Sequence, residues 1–84
     1  MNNTIRLCDL KIGEVASILK ISPENRIKDR LFDIGLIEGT AVGCLFRSPS
    51  GGMGAYLIRG ACIAIRDGDV GDVLAERRDE NGSD

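Results

Sequence analysis

The chain has 84 residues, of which 43% are hydrophobic and 29% are charged, and this is the size and composition of one small folded domain. Its 11 basic and 13 acidic residues give a net charge of −2, which is the wrong sign for a protein that binds by neutralising phosphates, so nucleic-acid binding is disfavoured. No run approaches the roughly 20 apolar residues of a membrane span, and the first residues lack the pattern of a secretory signal, so direct membrane insertion is not expected.

The first third of the chain predicts two strands and then a helix. Residues 6–10 are typical of a short strand, and residues 14–21 of a longer one that is rich in Val and Ile. Ser22 is a good N-cap residue, and Pro23 suits the first helical position because its missing N–H would be unpaired there. The sequence therefore predicts a helix over residues 23–34.

One face of this predicted helix is apolar. Ile27, Leu31 and Ile34 follow the i, i+4, i+7 spacing of a buried stripe, and Gly35 can adopt the left-handed conformation that ends a helix. Phe32 lies about 100° around the helix from Leu31 and therefore outside the stripe. Phe32 needs a separate explanation.

The remainder of the chain predicts strands joined by turns. Strands are expected at residues 40–47, 55–59, 61–66 and 71–76, with a glycine-rich loop at 48–54. Within the first of these strands, the period of two places Val42, Cys44 and Phe46 on one face. The whole pattern favours a mostly β fold with one main helix, built as a small β-barrel over residues 1–76. Residues 77–84 are polar and are expected to be a disordered tail.

The residue that catalysis uses most often is missing from this sequence. The chain contains no His, which removes the usual Ser-His-Asp and Cys-His arrangements and the commonest transition-metal ligand. Neither a phosphate-binding loop nor a dinucleotide fingerprint is present. We therefore do not expect an enzyme.

The three cysteines are the only thiol ligands that a metal could use. Cys8, Cys44 and Cys62 are weak candidates for a metal site, because they fall on different predicted strands and free Cys is commonly a small buried hydrophobe. No resident cofactor is expected, and at most weak transition-metal binding. An odd number of cysteines fits a reducing compartment, so a cytoplasmic protein is predicted.

A longer motif carries a family resemblance. It begins with residues 30–40, Arg-Leu-Phe-Asp-Ile-Gly-Leu-Ile-Glu-Gly-Thr, and continues through residues 56–66 to Asp69 and Val70. Together these pieces resemble the ferrous iron transport protein A (FeoA) family. The resemblance implies an SH3-like β-barrel in the cytoplasm. It also implies a partner, namely a membrane ferrous iron transporter with a cytoplasmic GTPase region.

Two surface regions are candidates for that contact. The first is an apolar patch at the end of the helix, formed by Phe32, Leu36 and Ile37 beside Arg30, since such patches often mark protein contacts. The second is the loop at 48–54, which contains Met53, together with Tyr56 and Arg59, which flank it. Each region also has a purely structural interpretation: strands could cover both sides of the helix, and the loop could be a plain hairpin connection.

Two other functions stay open at this point. Similar SH3-like domains accompany iron- or manganese-dependent repressors, so the alternative is a metal-responsive regulatory module that binds a transition metal and acts on a repressor. A small catalytic domain is the least favoured class, for lack of His and of a convergent nucleophile. The sequence sets no oligomeric state.

Overall fold

The computed structural model describes residues 3–78, which form six strands, one α-helix and two 3₁₀ turns. The strands and the helix are β1 (Thr4–Arg6), β2 (Val15–Ile21), α1 (Lys28–Asp33), β3 (Ala41–Arg47), β4 (Met53–Ile58), β5 (Ala61–Arg66) and β6 (Val73–Arg77). The 3₁₀ turns are Leu7–Asp9 and Asp67–Asp69. Within this part of the chain no helix is long and apolar enough to cross a membrane.

All six strands belong to one antiparallel sheet in the order β1-β6-β2-β3-β4-β5. The sheet is not closed by hydrogen bonds, because β1 and β5 are its two edge strands. One continuous cluster of buried side chains forms the core, and its residues come from α1, from the first 3₁₀ turn and the residue after it, from the segments that follow α1 and the second 3₁₀ turn, and from five of the strands. The prediction of a mostly β fold with one main helix is confirmed.

The helix is shorter than predicted at its beginning. The Ser22 Oγ accepts a hydrogen bond from the Glu24 N–H at 3.2 Å, and the Asn25 Oδ1 accepts one from the Ile27 N–H at 2.9 Å. Such local side-chain bonds compete with the helical pattern, so residues 22–27 form turns and α1 begins at Lys28. The predicted start at residue 23 was therefore wrong.

A β-bulge reverses the predicted orientation of Phe46. The pairing of β3 with β4 shifts register between Cys44 and Phe46, so Leu45 is an extra residue in β3. Val42 and Cys44 are buried as predicted, but Phe46 lies on the other face and is 53% exposed. The period-two prediction failed here because an inserted residue changes the face of every residue after it.

Other predicted boundaries also differ from those in the structure. The strand predicted at 6–10 is wrong, because β1 ends at Arg6 and a 3₁₀ turn follows. The loop predicted at 48–54 is shorter, since Met53 is the first residue of β4. The predicted tail begins too early: Arg77 ends β6, and the Arg78 N–H donates to the Val15 carbonyl at 2.8 Å. The rest of that tail, residues 79–84, lies outside the described residues.

Candidate functional site: the surface between α1 and β5

A shallow depression runs between helix α1 and edge strand β5, and we call it the α1–β5 trough. Two grooves of about 460 and 290 Å³ compose it, and they meet at Ile34 and Ile63, which line both. At one end the lining includes Phe32, Ile37 and Arg59, and at the other Arg30, Met53 and Arg66. Two elements that are distant in sequence therefore build one surface.

Phe32 is the most exposed large hydrophobic residue of this surface. Its side chain is 66% exposed, because it lies off the buried stripe of α1 in which Leu31 is 1% exposed. Outside the trough, Phe32 and Ile37 also line a third groove, of about 580 Å³, together with Ile21 and Pro23. We call this the Pro23 groove. The aromatic ring thus lies between two apolar depressions, which is where a partner could cover it on both sides.

The basic residues of the trough are only partly neutralised. Arg66 pairs with Asp69 at 3.2 Å, whereas the guanidinium groups of Arg30 and Arg59 have no ion-pair or hydrogen-bond partner within residues 3–78. Three arginines and two aspartates line the trough, counting Asp33, so it is locally positive on a chain whose net charge is −2. An acidic partner would meet unpaired positive charge here.

Leu36 and Tyr56, both predicted as surface residues, are completely buried. The Gly35 N–H donates to the Phe32 carbonyl and the Leu36 N–H to the Leu31 carbonyl, each at 2.9 Å. This is the Schellman pattern, in which the residue after the glycine packs back against the last turn of the helix. Leu36 therefore belongs to the core. The expectation of surface exposure was wrong for both residues, while Arg30, Phe32, Ile37, Met53 and Arg59 are exposed as predicted.

Tyr56 is buried beneath a cluster that the sequence did not reveal. The guanidinium of Arg47 lies 5.4 Å from the ring centroid of Tyr56. It donates to the carbonyl oxygens of Leu7 and Leu10 and pairs with Asp67 at 3.1 Å, so it ties the first 3₁₀ turn to the sheet. Burial raises the pKa of Tyr56, and the nearby Arg47 opposes this effect. The cluster has a structural role. It forms because the bulge in β3 turns Arg47 inward.

The three cysteines lie in different environments. Cys44 is buried in the core, Cys8 is half-buried, and Cys62 is exposed on β5, opposite Leu57 of β4. Burial raises the pKa of the Cys8 thiol, which disfavours its thiolate. Residues 3–78 contain no group of three or more Cys, Asp or Glu side chains placed to hold a metal ion together.

Comparisons with solved structures identify the fold. A FeoA-like protein from Clostridium acetobutylicum matches with a TM-score of 0.81 and 26% identity, over 90% of this chain and 88% of that one. FeoA from Stenotrophomonas maltophilia in complex with zinc, described as a prokaryotic SH3 domain protein, matches with a TM-score of 0.72 and 17% identity, over 88% of this chain and 95% of that one. The SH3-like fold predicted from the sequence is thus confirmed.

A manganese-dependent transcriptional repressor in complex with manganese is also similar. Its TM-score is 0.81 at 16% identity, and the match covers 93% of this chain but only 38% of the repressor. At this identity the likeness shows a shared fold alone. A comparison with curated proteins finds no match. The family model of the FeoA domain, however, matches residues 5–77, nearly the whole chain. The chain therefore belongs to the FeoA family.

Proposed function

We propose that this chain is a cytoplasmic accessory protein of ferrous iron uptake, which acts by contact with the cytoplasmic GTPase region of a membrane ferrous iron transporter. The FeoA family is linked to ferrous iron transport, and this supports the process. The mode of action is supported by one observation, namely that the exposed Phe32 lies between two apolar depressions. Phe32 falls within residues 5–77, which the FeoA family model matches.

Contact energetics favour this surface. Fully burying a Phe side chain contributes about 1.5–3 kcal/mol, and aromatic and Arg residues are frequent energetic centres of interfaces. Phe32 and Ile37 supply the apolar part, and Arg59 supplies a charge beside them. We infer that the transporter covers Phe32 and that Arg30 and Met53 extend the contact along the trough.

A metal-responsive regulatory module is the second candidate, and the likeness to the manganese-dependent repressor is what favours it. Such a module would bind a transition metal and act on a repressor. The dispersed cysteines argue against a shared thiolate site, since three ligands must converge to hold a metal tightly. The two candidates differ in whether binding needs metal.

A titration separates them. The isotope-labelled chain is mixed with the soluble GTPase region of the transporter, with and without ferrous iron, and backbone amide shifts are followed by NMR. The accessory function predicts shifts around Phe32, Ile37 and Arg59 that do not depend on iron. The accessory function would be contradicted if the GTPase region did not bind and metal alone caused shifts around the cysteines. That result would favour the regulatory module.

A further inference from the structure

Edge strand β5 has backbone groups that face solvent. Arg59 and Gly60 have positive φ angles of 51° and 87°, which makes the connection from β4 to β5 a two-residue hairpin turn closed by Ile58 and Ala61. Hydrogen bonds to β4 then recur at every second residue, at Ile63 and Ile65. The Asp67 N–H donates to the Gly52 carbonyl at 2.9 Å, in agreement with this register.

The alternate residues of β5 consequently face away from β4. The N–H and C=O groups of Cys62 and Ala64 point to the open edge of the sheet, and no backbone partner meets them within residues 3–78. Edge strands are normally protected by Pro, Lys, a bulge or a short length. β5 has six residues, pairs with β4 without a register shift, and carries Arg66 as its one charge. This edge is therefore open to another strand.

The surroundings of the edge specify what it could bind. A strand added to β5 would lie over the α1–β5 trough, with alternate side chains directed at Ile34 and Ile63. The unpaired Arg59 lies at one end of the trough and the unpaired Arg30 toward the other. The complementary segment is extended, apolar at alternate positions, and carries a carboxylate near each end. About six residues span the strand, at roughly 3.4 Å per residue.

We propose that the open edge of β5 binds such an acidic-ended apolar segment of a partner protein by strand addition. The identity of the partner as the transporter rests on the function proposed above, whereas the binding mode does not. A second copy of this chain fits less well. Antiparallel pairing of two β5 edges would bring Arg59 of one copy toward Arg30 of the other, and like charges repel across an interface.

The first test uses the full chain and a synthetic peptide with blocked ends, Glu-Thr-Val-Thr-Val-Thr-Glu, whose Glu and Val side chains share one face of a strand. Amide shifts and hydrogen exchange are measured by NMR. We expect saturable shifts at Cys62 and Ala64, and amide exchange there that slows about tenfold when nine-tenths of the chain is bound. The same peptide with Lys in place of both Glu residues should bind more weakly. Equal binding of the two peptides, or shifts that omit Cys62 and Ala64, would overturn the proposal.

Three variants sharpen this test. Ala64→Pro removes an N–H that the fold does not use, and Pro is tolerated at such edge positions, so the chain should fold but not bind. Ala64→Thr retains the N–H and should bind as the wild type does. Replacing both Arg30→Glu and Arg59→Glu should reverse the preference, so that the Lys-ended peptide binds more tightly. Binding by Ala64→Pro at wild-type strength, or an unchanged charge preference, would refute strand addition.

Further outcomes identify the occupant. Shifts at Cys62 and Ala64 that grow with protein concentration, without peptide, would show that a second copy occupies the edge and would overturn the proposed partner. Weaker binding of the GTPase region by Ala64→Pro than by Ala64→Thr would support the transporter as the source of the segment. If the peptide binds but the GTPase region does not, the binding mode stands and the proposed function fails.

Discussion

Gly35 shows how one residue sets the end of the helix and the beginning of the candidate surface. Its φ of 91° is in the left-handed region, and its N–H bonds to the Phe32 carbonyl. This geometry directs Leu36 into the core, while Phe32 is left on the surface. The Gly35 stop could be predicted from sequence, because only a glycine fits this conformation without strain. The burial of Leu36 could not, since it depends on the direction of the chain after the stop.

Gly35→Ala should therefore destabilise the fold. A left-handed conformation costs a residue with a side chain about 1–2 kcal/mol, and the new Cβ would also collide with Arg59 Cδ, which must move. Urea unfolding should show this loss. Gly43→Ala is the matched control, because its nearest neighbours lie 3.9 Å away, and its stability should be unchanged or higher by up to about 1 kcal/mol. Equal stabilities of the two variants would contradict this interpretation of Gly35.

Tyr56→Phe should leave stability at neutral pH unchanged or raise it by about 1 kcal/mol. The Tyr56 hydroxyl is buried and makes no hydrogen bond of good geometry within residues 3–78, although the Arg47 guanidinium lies beside it, so its removal relieves a poorly satisfied group. Urea unfolding again provides the measurement. A loss above about 1 kcal/mol would show instead that the hydroxyl is hydrogen-bonded, since that is the usual contribution of such a bond.

The same residue predicts a pH dependence. Because burial raises the pKa of Tyr56 above its ordinary value of 10.0, the folded chain keeps the phenol proton where the unfolded chain loses it. This contribution is complete below pH 10.0 and declines as pH rises further. Tyr56 is the single tyrosine, so tyrosinate absorbance reports it alone, and the titration should move upward on folding. If the pKa of Tyr56 were ordinary, the difference in unfolding free energy between the wild type and Tyr56→Phe would not change with pH.

At the scale of elements, the errors of sequence reasoning have two local causes. The turns at residues 22–27 replace the first part of the predicted helix because Ser22 and Asn25 bond to nearby backbone N–H groups. The bulge at Leu45 turns Phe46 outward and Arg47 inward. Neither feature leaves a periodic trace in the sequence. Long regular stretches such as β2 and β5, in contrast, were predicted nearly as they are.

Asn25 links the segment before α1 to the segment before β6. Its Nδ2 donates to the Asp69 carbonyl at 2.9 Å and to the Asp72 Oδ1 at 2.6 Å. Asn25→Asp removes both donors and places two carboxylates together, so we expect a loss of about 2–3 kcal/mol at neutral pH. The loss should shrink in acid, where protonation restores a donor. Asp29→Asn, on the exposed face of α1, is the control and should change stability by less than about 0.5 kcal/mol.

At the scale of the whole molecule, the sheet order brings together parts that the sequence keeps apart. The FeoA motif and the strand pattern predicted the fold class, and the helical period identified Phe32 as a residue outside the core. The α1–β5 trough was not predictable as a unit, because β5 meets α1 only through the long-range pairing of β3, β4 and β5. Arg30 and Met53, which come from different predicted regions, line one end of it.

The most direct test of the central claim is the affinity of the full chain for the transporter's cytoplasmic GTPase region, measured by calorimetry for three proteins. Phe32→Ala should bind at least about tenfold more weakly than the wild type, which corresponds to a loss of about 1.4 kcal/mol. Ile12→Ala removes another exposed apolar side chain, which is 60% exposed and lies outside the α1–β5 trough and the Pro23 groove, so this variant should bind normally. Both variants should unfold like the wild type. Equal affinity of all three proteins, or no binding by any of them, would contradict the account.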